Sequence, residues 1–386
     1  MDRTNHDQVS NIPNSPSPAW WWVLLATVPV VVRLLSKSIL ESGDGIAHYH
    51  IAAFSWQYPR HFFDFWGKPL FTLLASPFAQ LGHWGMTLFN AVCFVLTAWA
   101  ADGILKKAGP GARWLFPPVL LLVPVYGTMV IAGMTEVLFG LLTILAIRAA
   151  FDGKPRIFAL IVSVMPFSRP EAIAFVPFAI LWIAFNRHWK AIPFLLAGNV
   201  IFAILAAFGM KDPFWIWNGD PYQGAMNIYG SGEWDHFITH LHEIYGPVHI
   251  GALIALVICA LEWRRVEFIQ NGGRTLLLLT LFPILAIVLL HSWLWWGGSK
   301  GSLGLFRVMA TTAPMLVLFI LWPIYWACSR MIHGRYMTAF LTVVVAVIYL
   351  PAAASIFLEH QPLPVPSDVQ QELLTKAGER VKDMME

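Results

Sequence analysis

The sequence predicts an all-α, polytopic membrane protein with about eleven transmembrane helices, and three observations predict it. Of its 386 residues, 58% are hydrophobic and only 12% charged, where a soluble domain carries roughly 25% charged residues. Apolar runs of about 20 residues, long enough to cross a bilayer as a helix, recur along most of the chain. The 19 tryptophans cluster at the ends of those runs, as an aromatic belt does at the two membrane surfaces. The net charge of +3 is localised, and the lack of a basic stripe interleaved with aromatics argues against nucleic acid as a partner. Cys93, Cys259 and Cys328 have neither metal-ligand spacing nor a disulfide framework, so they read as core packing.

Residues 1–18 are polar and read as a disordered cytoplasmic tail. The run from Ala19 to about Leu35 looks at first like a signal peptide. Its leader is long and hardly basic, and no small-residue cleavage site follows, so it reads as a retained first helix. Residues 19–358 form the transmembrane domain, whose connecting segments alternate in character. One set is short and basic: 106–113, 154–156, 187–190, 264–274 and 330–335. The other is rich in acids and aromatics: the Asp44 segment, the Glu136 region, 168–171, 211–247 and 291–302. The positive-inside rule places the basic set in the cytoplasm. The N-terminus is then cytoplasmic, and the short polar tail, 359–386, lies outside with one amphipathic helix expected from Ser367 to Met385.

Two outer loops, 41–68 and 211–247, are expected to carry the function. The longer is too hydrophilic to span and reads as a short re-entrant or interfacial helix plus a lid. Several spans are predicted to be broken. Pro117, Pro118 and Pro124 interrupt one, and another runs into Ser168-Arg169-Pro170-Glu171. Proline removes a backbone donor, which a membrane tolerates where neighbours or water satisfy the freed carbonyls. Half-spans that end in charged residues predict a water-filled cavity open to the outside.

A charge at the bilayer centre costs about 2.5–3.5 kcal/mol or more, so a retained one is a functional candidate. Asp44 lies between Gly43 and Gly45, and His48, Tyr49 and His50 follow. It is a general base or electrostatic anchor, or else the N-cap of the next helix. Glu136 is either a cavity acid or a first-turn acid favoured by the helix dipole. Arg169 and Glu171 shape the cavity, or form an interfacial ion pair. Arg307 lies a turn inside a span that follows a Gly- and Ser-rich loop. Its planar fork suits a phosphate, and snorkelling to headgroups is the alternative. Lys300 would assist it. Lys68 and Trp217 complete the candidate cavity. His236, His240 and Glu243 have helical spacing, but without a third fixed ligand no metal site is assigned there.

Four features in order resemble the GT-C superfamily of polytopic glycosyltransferases. They are the acidic first outer loop Ser42-Gly43-Asp44-Gly45, then Lys68-Pro69-Leu70, then the outer break Arg169-Pro170-Glu171, and last a G-x-x-G-x-x-R segment from Gly301 to Arg307. The third is similar to the RPE of GPI- and N-glycan-type mannosyltransferases. The sequence departs from the pattern in having Ser42 where many members carry a second carboxylate, and it lacks the large soluble C-terminal domain of some relatives. The first departure weakens the case for a metal-dependent site, and no cofactor is called for, although a divalent metal stays an option.

The resemblance implies transfer of a sugar, mannose-like, from a polyprenyl-phosphate donor to a hydroxyl of a glycan, lipid or protein acceptor. Asp44 would be the base, while Arg307 and Lys300 would hold the donor phosphate. The location implied is the plasma (inner) membrane. The competing class is a transporter or flippase of lipid-linked sugars. Against it stand the lack of a repeat between the two halves and the clustering of charges on one side.

Overall fold

The computed structural model describes residues 19–36, 43–108, 110–331 and 334–351, together with 354, 375, 376 and 379. The expectations for the tail 1–18, for Ser42 and for the amphipathic helix 367–385 fall on residues outside that set or largely so. The described residues are mostly helical and contain no strand. One isolated antiparallel bridge joins Met226 to Ser299.

The centre of the molecule is made by α7 (Glu136–Phe151) and α18 (Ala313–Ser329), buried on nearly every face, with α4 (His83–Leu105), which keeps one exposed stripe through Val92, Leu96 and Trp99. A helix that is apolar all round belongs inside other helices, and α7 packs against both α4 and α18. Small residues allow the approach. A Cβ on Gly140 would stand 2.8 Å from the Pro314 ring. Around this centre lie α1 (Ala19–Ser36), α8 (Pro155–Val164), α9 (Ala172–Phe185), α10 (Ala197–Gly209), α14 (Val248–Glu262) and the pair α16 (Gly273–Leu279) and α17 (Leu281–Trp296).

Three helical stretches are long and apolar enough to cross a membrane unaided: His83–Leu105, Trp189–Gly209 and Gly273–Trp296. A fourth arises if Ala112–Leu121 and Pro124–Ala132, bent by 69°, count as one span. Six further apolar helices are shorter. Length and composition alone therefore do not reach the expected eleven. Two of the expected breaks are present: α5 (Pro110–Leu121) and α6 (Pro124–Ala132) part at Pro124, and α8 and α9 part at 168–171.

The first outer segment differs from its expectation as a wet loop. Residues Asp44–Phe54 form α2, whose Ile46, His48, His50 and Ile51 are buried, followed by a 3-10 turn at Pro59–Phe63 and by α3 (Pro69–Ala79). The alternation of apolar and imidazole side chains lets it pack on α3. The second, 211–247, carries three helical turns: Trp215–Asn218, His236–Thr239 and Leu241–Tyr245.

The break before α7 positions a key acid. Gly133 ends α6 in the left-handed region at φ 71, which glycine adopts without cost. Its Cβ position lies 2.4 Å from the Met86 Cβ, so a larger residue has no room. The carbonyls freed there are satisfied from α4. Asn90 donates to Met129 O at 3.0 Å and to Met134 O at 2.9 Å, and Thr87 donates to Ile131 O at 2.6 Å. Glu136 can therefore begin α7 in a buried place.

Candidate active site

All five acid- and aromatic-rich segments converge at one end of the helix assembly. Asp44, the first residue of α2, is paired with Arg307, which opens a 3-10 turn over Phe306–Thr311. The partners lie 263 positions apart in sequence. Their side chains are 15% (Arg307) and 29% (Asp44) exposed, so the pair is partly shielded. The predicted base and the predicted phosphate ligand thus touch each other.

A second, deeper cluster sits beside it. Arg169 reaches Glu136 Oε1 at 2.7 Å and Glu171 Oε1 at 2.6 Å, and donates to Thr135 Oγ1 at 2.7 Å. His291 Nε2 lies 3.4 Å from Glu171 Oε1. Glu136 and Glu171 are 1% and 3% exposed. The 168–171 break makes this possible, because Ser168 and Arg169 turn back onto Met165 O and Glu171 starts α9. Burial alone would lower the proton affinity of Arg169, but the two carboxylates outweigh it and raise it above the usual value. Burial would likewise raise Glu171, yet Arg169 and then His291 hold its carboxyl well below the usual carboxylate range. Its Oε2 is buried and makes no hydrogen bond.

His48 links the two clusters. It shares a face of α2 with Asp44, four residues before it, and packs edge-on against Phe71. Burial, followed by the charges of Lys68, Arg169 and Arg307, keeps its imidazole well below its ordinary value. Three cations thus surround a neutral, buried imidazole.

Lys68 is set by a tight turn. Asp64 Oδ1 accepts from Gly67 N at 2.6 Å, and the Lys68 ammonium donates to Phe65 O at 3.1 Å. Its backbone is left-handed at φ 60, a conformation that costs a lysine about 1–3 kcal/mol and clusters at ligand sites. Burial first, and then Arg169, push its amine down to about 8 against the pull of Glu171, Asp64 and Glu136.

Other expected residues fall elsewhere. Tyr49 and His50 face a different group: Tyr49 packs on His83 and His50, and His83 Nδ1 lies 3.3 Å from Arg33. Adjacent residues on a helix point in different directions, so they cannot all share the Asp44 face. Trp217 is 72% exposed; the anchored tryptophan of that segment is Trp215, which donates to Phe63 O at 2.7 Å. Lys300 pairs with Asp220 at 2.6 Å. His236 and His240, spaced for a metal, stack instead on Phe306, with His236 Nε2 2.8 Å from Gly304 O.

Several residues here had escaped assignment. The segment 220–236 is stitched to 295–304: Asn227 N donates to Gly298 O at 2.7 Å, Lys300 N to Ala225 O at 3.0 Å, and Gly232 N to Trp295 O at 3.2 Å. Glycines permit the seam, since a Cβ on Gly298 would stand 2.0 Å from Asn227 Oδ1. The result is a cover that carries Tyr222 against Trp66, with ring centroids 5.8 Å apart. Burial pushes the Tyr222 phenol up to about 12, with Tyr229 and Asp44 adding to the shift. His291 had one legible signal, a lone imidazole in an otherwise apolar helix. Tyr222 had none.

The backbone resembles the solved structure of ArnT from Cupriavidus metallidurans bound to undecaprenyl phosphate, with a TM-score of 0.58. The match covers 94% of this chain and 70% of that one at 14% sequence identity. It shows a shared fold, and with the apolar helices it marks an integral membrane protein. No protein-family model and no curated protein matches the sequence.

Proposed function

We propose that this protein is a membrane glycosyltransferase that moves a sugar from a polyprenyl-phosphate donor to an acceptor hydroxyl on the outer face of the plasma (inner) membrane. The observation that carries the reading is the pairing of Asp44 with Arg307, beside the buried His48 on which the charges of Lys68, Arg169 and Arg307 all act. A carboxylate able to take a proton stands next to cations able to hold a phosphate. The fold shared with a protein bound to undecaprenyl phosphate supports the donor class, and mannose is the sugar that the sequence resemblance implies.

In the proposed step the acceptor oxygen attacks the anomeric carbon from the face opposite the phosphate. The new carbon–oxygen bond forms as the bond to the phosphate oxygen breaks, and the anomeric configuration inverts. The hydroxyl proton passes to Asp44, and the bonding electrons leave with the lipid phosphate. That leaving group gains negative charge, which Arg307 and Lys68 stabilise. A lipid phosphate is a weak base, so the step needs no general acid. Arg169 has its fork filled by Glu136 and Glu171, so its part is to shape the pocket and supply field. No soluble partner or cofactor is required by this scheme.

The test is kinetic. Asp44→Asn is expected to lower kcat by about 10²–10⁴-fold while donor binding persists. Arg307→Gln is expected to weaken donor binding and slow transfer together. Full activity of folded Asp44→Asn would remove it as the base and redirect attention to Glu171, whose Oε2 is unengaged.

A further inference from the structure

The Asp44–Arg307 pair poses a chemical difficulty for the reaction just proposed, on which this inference rests. A carboxylate clamped by a guanidinium offers its lone pairs to that cation and not to a hydroxyl proton. A guanidinium nitrogen held by a carboxylate oxygen, as Arg307 Nη2 is by Asp44 Oδ2, offers its N–H groups to that anion and not to a phosphate. With 15% and 29% side-chain exposure the pair is shielded enough for its charges to matter, unlike a surface pair worth little. Before substrate arrives, Asp44 Oδ2 and Arg307 Nη2 are therefore turned to each other.

The surroundings supply the means of release. Lys68 and Arg307 both act on His48, and the Lys68 ammonium donates to the Phe65 carbonyl at 3.1 Å. Arg169, by contrast, is occupied by two buried carboxylates. A lipid phosphate entering between Lys68 and Arg307 gains one ready cation at once and competes with Asp44 for the other. The phosphate presents more oxygens to the fork and brings Lys68 into the contact, which one carboxylate oxygen cannot match.

We propose that the Asp44–Arg307 ion pair is a donor-operated lock, in which the lipid phosphate takes Arg307 and thereby frees Asp44 to receive the acceptor's proton. The donor binds before the acceptor is activated. Without a lipid phosphate in place, Asp44 stays masked.

A double-mutant cycle on the full-length protein in nanodiscs tests this, with undecaprenyl phosphate as probe and binding read by titration. A lock stores free energy that binding must release, so Asp44→Asn and Asp44→Ala should each tighten undecaprenyl phosphate by at least about fivefold, the low end of ordinary site coupling. Arg307→Gln should weaken it. In the Arg307→Gln background, Asp44→Asn should then change little, because the pair it would open is already gone.

Tightening that persists undiminished without Arg307 would mean plain repulsion between Asp44 and phosphate, and would overturn the lock. Unchanged or weaker binding in both Asp44 variants, with the proteins monodisperse and folded, would mean that Arg307 serves both anions at once, and would overturn it too. Either result leaves the transferase reading standing. A wild type that fails to bind undecaprenyl phosphate overturns both.

Discussion

Arg169 is the residue on which the polar interior depends. It pairs with both Glu136 and Glu171, which are almost fully buried. Breaking a buried pair by removing one partner is far costlier than its net contribution to stability, because the other charge is stranded. Arg169→Gln is expected to lower stability by about 3–5 kcal/mol, read as a drop in Tm. Arg169→Lys should recover part of this, since an ammonium keeps the charge but loses the fork. Lys68 yields a pH prediction. Its amine, pushed down to about 8, carries a full charge below that value and loses it as pH rises through it. Affinity for a polyprenyl phosphate should therefore fall from about pH 7 to about pH 9, and in Lys68→Arg it should stay flat over that range because arginine remains charged. An equal fall in both would place the titrating group elsewhere.

At the scale of elements, the breaks carry the site. Asn90 on α4 fills the carbonyls freed where α6 ends, at Met129 and Met134. Asn90→Ala is expected to cost about 0.5–1.5 kcal/mol by losing two buried hydrogen bonds, although Met129 O keeps its bond from Met134 N, and Glu136 should lose its fixed position with it; Tm and transfer rate measure the two effects. These elements also show what the sequence made legible. Asp44, Arg169, Glu171 and Arg307 stood out because a charge in an apolar setting is costly, and that cost is visible in one dimension. The broken spans stood out because proline acts locally. The partner of each charge was not legible, because Asp44 and Arg307 meet across 263 residues and no local rule spans that distance. Tyr49 and His50 were drawn into the site by nearness in sequence, whereas the helix turns them toward His83. Lys300 was drawn in by its loop, and Asp220 claims it.

For the whole molecule, the charge pattern of the loops bears on orientation. The acid and aromatic set builds the site, while the basic set pairs locally, as Arg113 does with Asp102, Arg148 with Asp152 and Arg265 with Glu262. The proposed orientation puts the site outside. The three native cysteines are buried, so single exposed cysteines report sidedness cleanly. Trp217→Cys should react with an impermeant maleimide added outside intact cells, and Arg264→Cys only after permeabilisation. The reverse pattern would invert the topology.

The central claim is that sugar leaves a lipid phosphate here, and one measurement addresses it most directly. Purified wild type would be incubated in nanodiscs with a panel of radiolabelled polyprenyl-phosphate sugars and a membrane extract as acceptor source, and free polyprenyl phosphate and labelled product would be counted together. The account predicts that both appear in equal amounts for at least one sugar, and that Asp44→Asn forms neither at more than about a hundredth of that rate. Donor bound but never cleaved, with labelled lipid moving across a sealed bilayer instead, would contradict it and identify a transporter of lipid-linked sugars.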